Sequence, residues 1–316
     1  GMKMTMDWRC RFTLASVCFK VLAFILMIAF GYLMKARHIL QQEDSQILMK
    51  IIINITMPAA LISGFRTFSI DVSLFFALAI GFGMNLLLLA AGWIYSVRKD
   101  GETRALYLLN TPSYNIGNFV LPFVQGFLPS SAVLCLCMFD AGNNPFGAGI
   151  TYSAACSVSG GSQRLSIRHI LRTLFHSPPF LAYFIMLVLY LPGIRLPDEF
   201  FDLCTLFGQG NAFLAMFTLG LIFEWHLTRE DLREVAQILG LRYFLCLATA
   251  AVVFLITPFD LVIRQTLCLC LIGPITTLAI PFGLSCGCKQ SMIAALSSVS
   301  MAASFVLSLI FLLLWA

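Results

Sequence analysis

Charged residues are scarce in this chain. Lys, Arg, Asp and Glu together make up 11% of its 316 residues, whereas a soluble domain carries roughly 25%. Hydrophobic residues make up 59%, and the mean hydropathy is +0.90. A globule of this size has too much surface to hide so many apolar side chains from water. The composition excludes a soluble enzyme, a disordered chain, a collagen and a secreted disulfide scaffold. It predicts an all-α integral membrane protein that crosses the bilayer several times.

The sequence also lacks a cluster of basic residues of the kind that binds nucleic acid. The formal net charge is +5, but the basic residues stand singly between apolar runs, so we expect no nucleic-acid partner. A membrane enzyme that acts on lipid would need an acidic metal cluster or paired His and Glu inside the bilayer. The chain has no Asp-rich motif, and its four histidines fall in or near polar connectors. We therefore expect no enzymatic activity and no cofactor.

The cysteines lie mostly inside apolar runs, where cysteine acts as a small hydrophobe. The pair Cys286 and Cys288 lies near a segment end and is the best candidate for a metal site. No histidine is close to this pair in the sequence, and histidine is a common partner of cysteine in such sites. We therefore expect no bound metal.

Long apolar windows separated by short polar connectors fill the chain. A membrane-spanning helix needs about 20 mostly apolar residues, and about ten windows meet this requirement. No connector is long enough to hold a soluble domain. The windows lie near residues 13–34, 47–65, 72–97, 105–128, 131–155, 174–192, 203–223, 234–257, 262–285 and 290–315.

The distribution of Lys and Arg predicts the orientation in the membrane. The N-terminal tail and the even-numbered connectors carry six basic residues, and the odd-numbered connectors carry twelve. Positive charge is retained on the cytoplasmic side. We expect a multi-pass membrane protein with both termini outside and the odd connectors inside.

The windows also divide into two sets of five. Because five is odd, the second set must enter the membrane with the opposite orientation, which is the inverted repeat of many secondary transporters. The predicted boundaries are 1–156 for the first repeat, 157–172 for a cytoplasmic connector and 173–316 for the second repeat.

The fourth and ninth windows contain helix-breaking residues. Two prolines, a glycine and three asparagines fall within Asn110–Pro122, and two prolines, two glycines and two threonines fall within Gly273–Gly283. Ordinary proline kinks would account for either window alone. The two windows occupy corresponding positions in the two halves, however, and paired interruptions of this kind indicate a transport site.

The chemistry of these interruptions favours a small anion such as a carboxylate. Interrupted helices present half-helix N-termini, which carry partial positive charge, and the neighbouring side chains add neutral hydrogen-bonding groups. The candidate substrate-binding residues are Asn115, Gly117, Asn118, Pro122, Pro274, Thr276 and Thr277.

Several stretches resemble the auxin efflux carrier family. Asn115-x-Gly117 followed by Pro122 is similar to the fourth-helix motif of that family. Further similar stretches follow the family's order along nearly the whole chain, which resembles a bacterial-type member within the wider fold of bile-acid and sodium symporters. They are Gly31–Arg37, Met57–Leu61, Phe139–Asn144, Ser177–Phe180 and Leu219–Leu221.

The resemblance to a bacterial-type member implies a prokaryotic plasma membrane. It further implies ten transmembrane helices with crossed, broken helices 4 and 9. It also implies a dimerising scaffold of helices 1, 2, 6 and 7 and a mobile transport domain of helices 3–5 and 8–10 that works as an elevator. Carboxylates are the substrates of relatives. Val120 stands where the family usually has glycine, so no particular relative's substrate is expected here. A transporter-like receptor and a sodium-coupled symporter of the bile-acid type remain alternatives.

The clearest ionisable residues inside the windows are Lys20, Asp140 and Arg242, and each needs a partner, water or a function. Lys20 is expected to snorkel to the outer interface. Asp140 could carry a proton during transport, hold amide groups or an arginine in place, or contact substrate. Asn143 and Asn144 beside it could ligate a cation, so coupling to H⁺ or Na⁺ is open. For Arg242 we expect an acidic partner such as Glu234, a side chain that snorkels to the cytoplasmic interface, or contact with an anionic substrate.

Overall fold

The computed structural model describes residues 14–67, 72–160, 166–224 and 229–316. These ranges fold into α-helices joined by short connectors, as expected of a chain whose backbone must satisfy its own hydrogen bonds in lipid. The first eight helices are α1 Leu14–Ala36, α2 Ser45–Ile51, α3 Met57–Gly64, α4 Val72–Ser96, α5 Gly101–Asn110, α6 Leu121–Phe127, α7 Ser131–Pro145 and α8 Thr151–Ser159.

The second half of the chain contains eight more helices within the described ranges. They are α9 Ile167–Phe175, α10 Pro178–Tyr190, α11 Asp198–Gly208, α12 Gly210–Ile222, α13 Arg229–Ile256, α14 Leu261–Leu271, α15 Ala279–Ser285 and α16 Gln290–Trp315. In the described residues, three short π-helical turns lie between or before these helices. The turn at Ile52–Thr56 connects α2 to α3, and the turn at Phe146–Ile150 connects α7 to α8. The turn at Ile116–Val120 leads into α6.

The helices confirm a multi-pass membrane protein. Six stretches of the described chain are long and apolar enough to cross a bilayer, and α9 with α10 forms a further, bent candidate. The other predicted windows consist of shorter helices, so the number of ten spans stays a prediction. The six stretches are Ala15–Ala36, Gln42–Gly64, Val72–Ser96, Asp198–Ile222, Asp231–Ile256 and Gln290–Trp315.

Glycines allow the closest contacts between helices. A Cβ on Gly81 of α4 would overlap the carbonyl oxygen of Phe139 in α7, and a Cβ on Gly142 of α7 would overlap that of Leu78 in α4. Small residues let membrane helices approach until their backbones touch, which maximises van der Waals contact. The α4–α7 pair therefore places the polar end of α7 directly beside α4.

The connector after α8 differs from the prediction. Residues 157–172 were expected to form a polar connector, but α9 begins inside it at Ile167 and turns into α10 through a bend of 84°. The Ser166 side chain accepts a hydrogen bond from the His169 amide and so caps the start of α9. The paired prolines at the start of α10 end α9, because a residue before proline disfavours helical geometry. The predicted start of the second repeat at residue 173 thus falls inside α9.

The helix that begins at Asp198 was predicted to start later, at residue 203. Its first turn contains Asp198 and Glu199, which hydropathy assigns to a connector. Acidic side chains are favourable at a helix N-terminus because they offset its partial positive charge, so the helix extends beyond its apolar part.

Candidate functional site

Both predicted interruptions are present, and they lie against each other. The first break comprises residues 111–115, between α5 and the π-helical turn before α6, and the second break comprises residues 272–278, between α14 and α15. Tyr114 and Ile275 form an antiparallel β-bridge, and the Asn115 amide donates to the Pro274 carbonyl over 2.9 Å. Ser113 has a φ of 63°, in the left-handed region that ends a helix. Two short non-helical segments thus pair inside the protein, and we call this pair the crossing.

Two buried asparagines hold the first break. The Asn143 side chain of α7 accepts a hydrogen bond from the Tyr114 amide over 2.9 Å and donates to the Tyr114 carbonyl over 3.0 Å. Asn85 of α4 accepts from the Ser113 amide over 2.5 Å and donates to Asn143 over 3.1 Å. Backbone groups released from a helix need partners when no water can reach them. Asn85 and Asn143 supply those partners.

The second break is held by α13 and α16. The Ser300 hydroxyl of α16 accepts from the Ile275 amide over 2.8 Å. The Tyr243 hydroxyl donates to the Ser300 carbonyl over 2.8 Å and so fixes that part of α16. Each break is therefore held by side chains from flanking helices.

Arg242 of α13 donates hydrogen bonds to the backbone at both breaks. Its side chain is fully buried. Its Nη1 donates to the carbonyls of Thr111 and Pro112 over 2.5 Å and 3.2 Å, and its Nη2 donates to the Gly273 carbonyl over 2.9 Å. The guanidinium also lies over the Tyr114 ring, 4.5 Å from its centre. These carbonyls end α5 and α14, where helices carry partial negative charge, so the arginine charge is compensated by both helix ends.

This placement corrects the expectation for Arg242. Its partner is not Glu234, because that carboxylate forms an ion pair with Lys99 over 2.6 Å. Arg242 does not snorkel to the membrane surface, and it does not line the cavity described next. Its contacts are those of a residue that positions the two breaks.

A cavity of about 220 Å³ lies on the other face of the crossing. Its wall combines both breaks with the polar end of α7, the π-helical turn between α2 and α3, and the bend between α9 and α10. The residues lining it are Ile53, Met57, Ser113, Tyr114, Asn115, Ile116, Gly117, Asn118, Asp140, Asn143, Asn144, Gly147, Ala148, Thr173, Leu174, Ser177, Pro179, Phe180, Thr276, Thr277 and Leu278.

Several polar atoms at this cavity have no hydrogen-bond partner within the described chain. They are Nδ2 of Asn115, Oδ1 of Asn118 and Oγ of Ser113. Asn115 is 6% exposed and Ser113 is 1% exposed, so bulk water hardly reaches them. A buried polar group without a partner is unfavourable by about 1–3 kcal/mol, and such groups need a functional or structural reason.

Asp140 is the only acidic or basic side chain among the described residues that line the cavity. Its carboxylate accepts from Nδ2 of Asn143 over 3.1 Å and from Nδ2 of Asn144 over 3.0 Å, and the latter also donates to the Tyr183 hydroxyl. Within the described ranges, no Lys or Arg forms an ion pair with it. An arginine partner for Asp140, one of the structural roles considered above, is therefore not present there.

The structure brings most of the candidate residues together around this one cavity. Asn115, Gly117, Asn118, Thr276 and Thr277 line it, as do the three candidates for ion coupling on α7. Pro122 and Pro274 do not line it. Pro122 lies buried in the first turn of α6, and Pro274 contributes its carbonyl to the crossing.

Sequence reasoning missed three polar residues that hold or line the site. Asn85 and Ser300 hold the breaks, and Thr173 reaches the cavity from α9. A signal existed for Asn85, since it is the lone amide side chain in the apolar run of α4, and polar groups at such positions usually serve as interhelical contacts. Ser300 shares its helix with several other serines, so nothing singles it out.

Comparison with known proteins is consistent with this arrangement. Residues 16–141 match the family model described as "Membrane transport protein", which represents the auxin efflux carrier family. No curated protein sequence matches the chain. The family match covers α1 to most of α7 and includes the first break and Asp140, and it supports the family inferred from the motifs. Over residues 16–141 the chain is thus similar to the auxin efflux carrier family of membrane transporters.

Proposed function

We propose that this protein is a secondary transporter for a small organic anion such as a carboxylate, which binds where the two breaks cross. The observation that carries the proposal is the pair of buried, unpartnered groups on the first break. Nδ2 of Asn115 and the Ser113 hydroxyl are hydrogen-bond donors at the cavity without a protein acceptor. A carboxylate oxygen is the acceptor that gains most from such donors, because hydrogen bonds to charged groups are about twice as strong as neutral ones.

The cavity size limits the cargo. Its volume of about 220 Å³ is below the roughly 300 Å³ at which drug-sized ligand pockets begin. The cargo is accordingly a small mono- or dicarboxylate. Aromatic and aliphatic side chains such as Phe180 and Met57 also line the cavity, so a carboxylate with a short apolar part fits its chemistry.

Asp140 links anion binding to a proton in this proposal. An ionised Asp140 and a bound carboxylate would repel each other at close range in a medium of low dielectric constant. Protonation of Asp140 removes this repulsion, so anion binding and proton binding favour each other. Transport of the anion together with one proton follows, and Asn143 and Asn144 hold the Asp140 side chain in place through their hydrogen bonds.

The wall of the cavity supports alternating access. One side comes from residues of the second and sixth predicted spans, including Met57 and Phe180, and the other side comes from the crossing and α7. In the proposed elevator, ten spans form two inverted repeats, and the crossing moves with α7 against the first side. The first, second, sixth and seventh spans form the scaffold and the interface of a homodimer in a prokaryotic plasma membrane, with both termini outside.

Flux measurements test the proposed function. Purified protein in liposomes should take up labelled small mono- or dicarboxylates, and an inwardly directed proton gradient should accelerate uptake without sodium. Asn115→Ala should reduce uptake at least tenfold, because it removes a donor from the site. Asn54→Ala is the matched control, since Asn54 is exposed on the π-helical turn between α2 and α3 and its side chain donates only to the Lys50 carbonyl of the preceding turn.

Three results would contradict the proposal. Tight carboxylate binding without any flux would indicate a receptor, and uptake that requires sodium would indicate a symporter of the bile-acid type. Equal flux in Asn115→Ala and wild type would show that the cargo does not bind at the crossing.

A further inference from the structure

Helix α9 carries two adjacent stripes of opposite character. Ile170 and Leu174 are buried against the protein, whereas Ile167 is 72% exposed, Leu171 48% and Phe175 42%. These three exposed residues are four positions apart, so they form one apolar stripe along the helix. Such a stripe is unfavourable in water, and it marks a contact with lipid or another apolar partner.

A basic stripe runs directly beside the apolar one. Arg168, Arg172 and His176 are also four positions apart, and all three are exposed. The helix contains no acidic residue, and neither arginine forms an ion pair within the described chain. An exposed apolar stripe flanked by unpaired arginines is the pattern of a helix that lies in the membrane interface, with its apolar side among acyl chains and its cations at the headgroups.

The bend between α9 and α10 supports the same orientation. The two axes meet at 84°, so an α10 that crosses the membrane places α9 nearly parallel to the membrane plane. Ring contacts of Phe175 with Phe180 and Phe184 of α10 brace this bend, with ring centres 5.5 Å and 5.2 Å apart. The helix is therefore held at the depth where α10 enters the bilayer.

The same helix forms part of the cavity wall. Thr173 and Leu174 line the cavity beneath the crossing. Ile170 packs against the π-helical turn after α7 and belongs to a small apolar cluster with Ala148 and Leu174. Interactions that hold α9 at the membrane surface therefore also hold one wall of the cavity in place.

We propose that α9 is a binding site for anionic phospholipid headgroups, with Arg168 and Arg172 as the cations that hold them. The partner is the surface of an anionic membrane. Such a surface offers acyl chains to the apolar stripe and phosphate groups to the basic stripe. Each arginine near an anionic surface strengthens binding about fivefold. The inference needs no cargo, so it stands or fails separately from the proposed transport function.

Hydrogen exchange in lipid nanodiscs tests this inference. The amides of Ile167–Phe175 should exchange at least about fivefold more slowly in discs that contain phosphatidylglycerol than in discs of phosphatidylcholine alone. The double variant Arg168→Gln/Arg172→Gln should lose this difference. The double variant Arg37→Gln/Arg98→Gln should keep it, since it removes the same charge from exposed positions in connectors predicted to face the same side. The amides of α16 serve as an internal reference for global stability.

Three outcomes would overturn the inference. Exchange of α9 could be equal in the two lipids, or both double variants could lose the effect alike, which would indicate general attraction to charge. Soluble glycerol phosphate added to phosphatidylcholine discs could also reproduce the slowing, which would indicate a site for free phosphate rather than for a membrane surface.

Discussion

Replacing Arg242 with Met is predicted to weaken the whole crossing. The change keeps most of the side-chain volume but removes the donors to the carbonyls of Thr111, Pro112 and Gly273. Each buried carbonyl left without a partner is unfavourable by about 1–3 kcal/mol, for a sum on the order of 3–9 kcal/mol. The substitution also removes the unfavourable desolvation of the buried guanidinium, and this gain offsets several kcal/mol of the loss from the unpaired carbonyls.

The net loss of unfolding free energy is then about 3 kcal/mol. For a chain of this size, that corresponds to a fall of roughly 4–5 °C in the melting temperature. Thermal unfolding in detergent, followed by tryptophan fluorescence, measures it. Arg242→Lys should fall in between, since an ammonium lacks the planar fork that reaches several carbonyls.

A second arginine gives the matched control for Arg242. Arg264 donates through Nη1 to a single carbonyl, that of Phe254, and lies over the Phe254 ring, so Arg264→Met should lower the melting temperature by less than half as much. If Arg242→Met melts within 1–2 °C of the wild type, or no lower than Arg264→Met, then Arg242 does not hold the breaks together and the reasoning fails.

Three further predictions concern the site and the packing around it. Asp140→Asn should abolish acceleration of uptake by a proton gradient while leaving exchange of internal and external cargo intact; unchanged pH dependence would refute proton coupling. The thiols of Cys156 and Cys286 lie 3.6 Å apart, so mild oxidation with diamide should join them in a disulfide that mass spectrometry detects, and failure to cross-link would place α15 away from α8. Gly142→Val should destabilise the protein by several kcal/mol, because its side chain would overlap the α4 backbone. Gly83→Val, where nothing lies within 4 Å of the added Cβ, should change stability by less than about 1 kcal/mol; equal effects of the two would refute the packing.

The existence of the two breaks could be predicted from sequence because proline and glycine act locally. Pro112 and Pro274 remove backbone donors wherever they occur, and the structure interrupts the helices beside both residues. The prediction that the two breaks face each other rested only on their corresponding positions in the two halves of the sequence. The bridge between Tyr114 and Ile275 joins residues far apart in the chain, and no local rule specifies that pairing.

The partners of Arg242 could not be predicted for a physical reason. Sequence patterns reveal acidic side chains, so a carboxylate such as Glu234 is the natural guess for a buried arginine. Every backbone residue has a carbonyl, however, and only the fold shows which carbonyls lose their helical partners. The guanidinium binds the helix ends at Thr111 and Gly273 instead, because these ends present unsatisfied acceptors at the same place.

Helix α9 was missed although its pattern was visible. Ile167, Ile170, Leu171 and Leu174 follow helical spacing, but the segment is too short and too basic for a membrane span. A search for spanning windows therefore assigns it to a connector. An interfacial helix is recognised by the contrast between its faces rather than by its mean hydropathy.

A structure determined with a transported carboxylate, in a lipid nanodisc, would locate the binding site. We expect density for the cargo in the cavity beside the crossing, with a carboxylate oxygen within hydrogen-bond distance of Nδ2 of Asn115 and of the Ser113 hydroxyl. Cargo density at a place that neither break contacts would contradict this expectation.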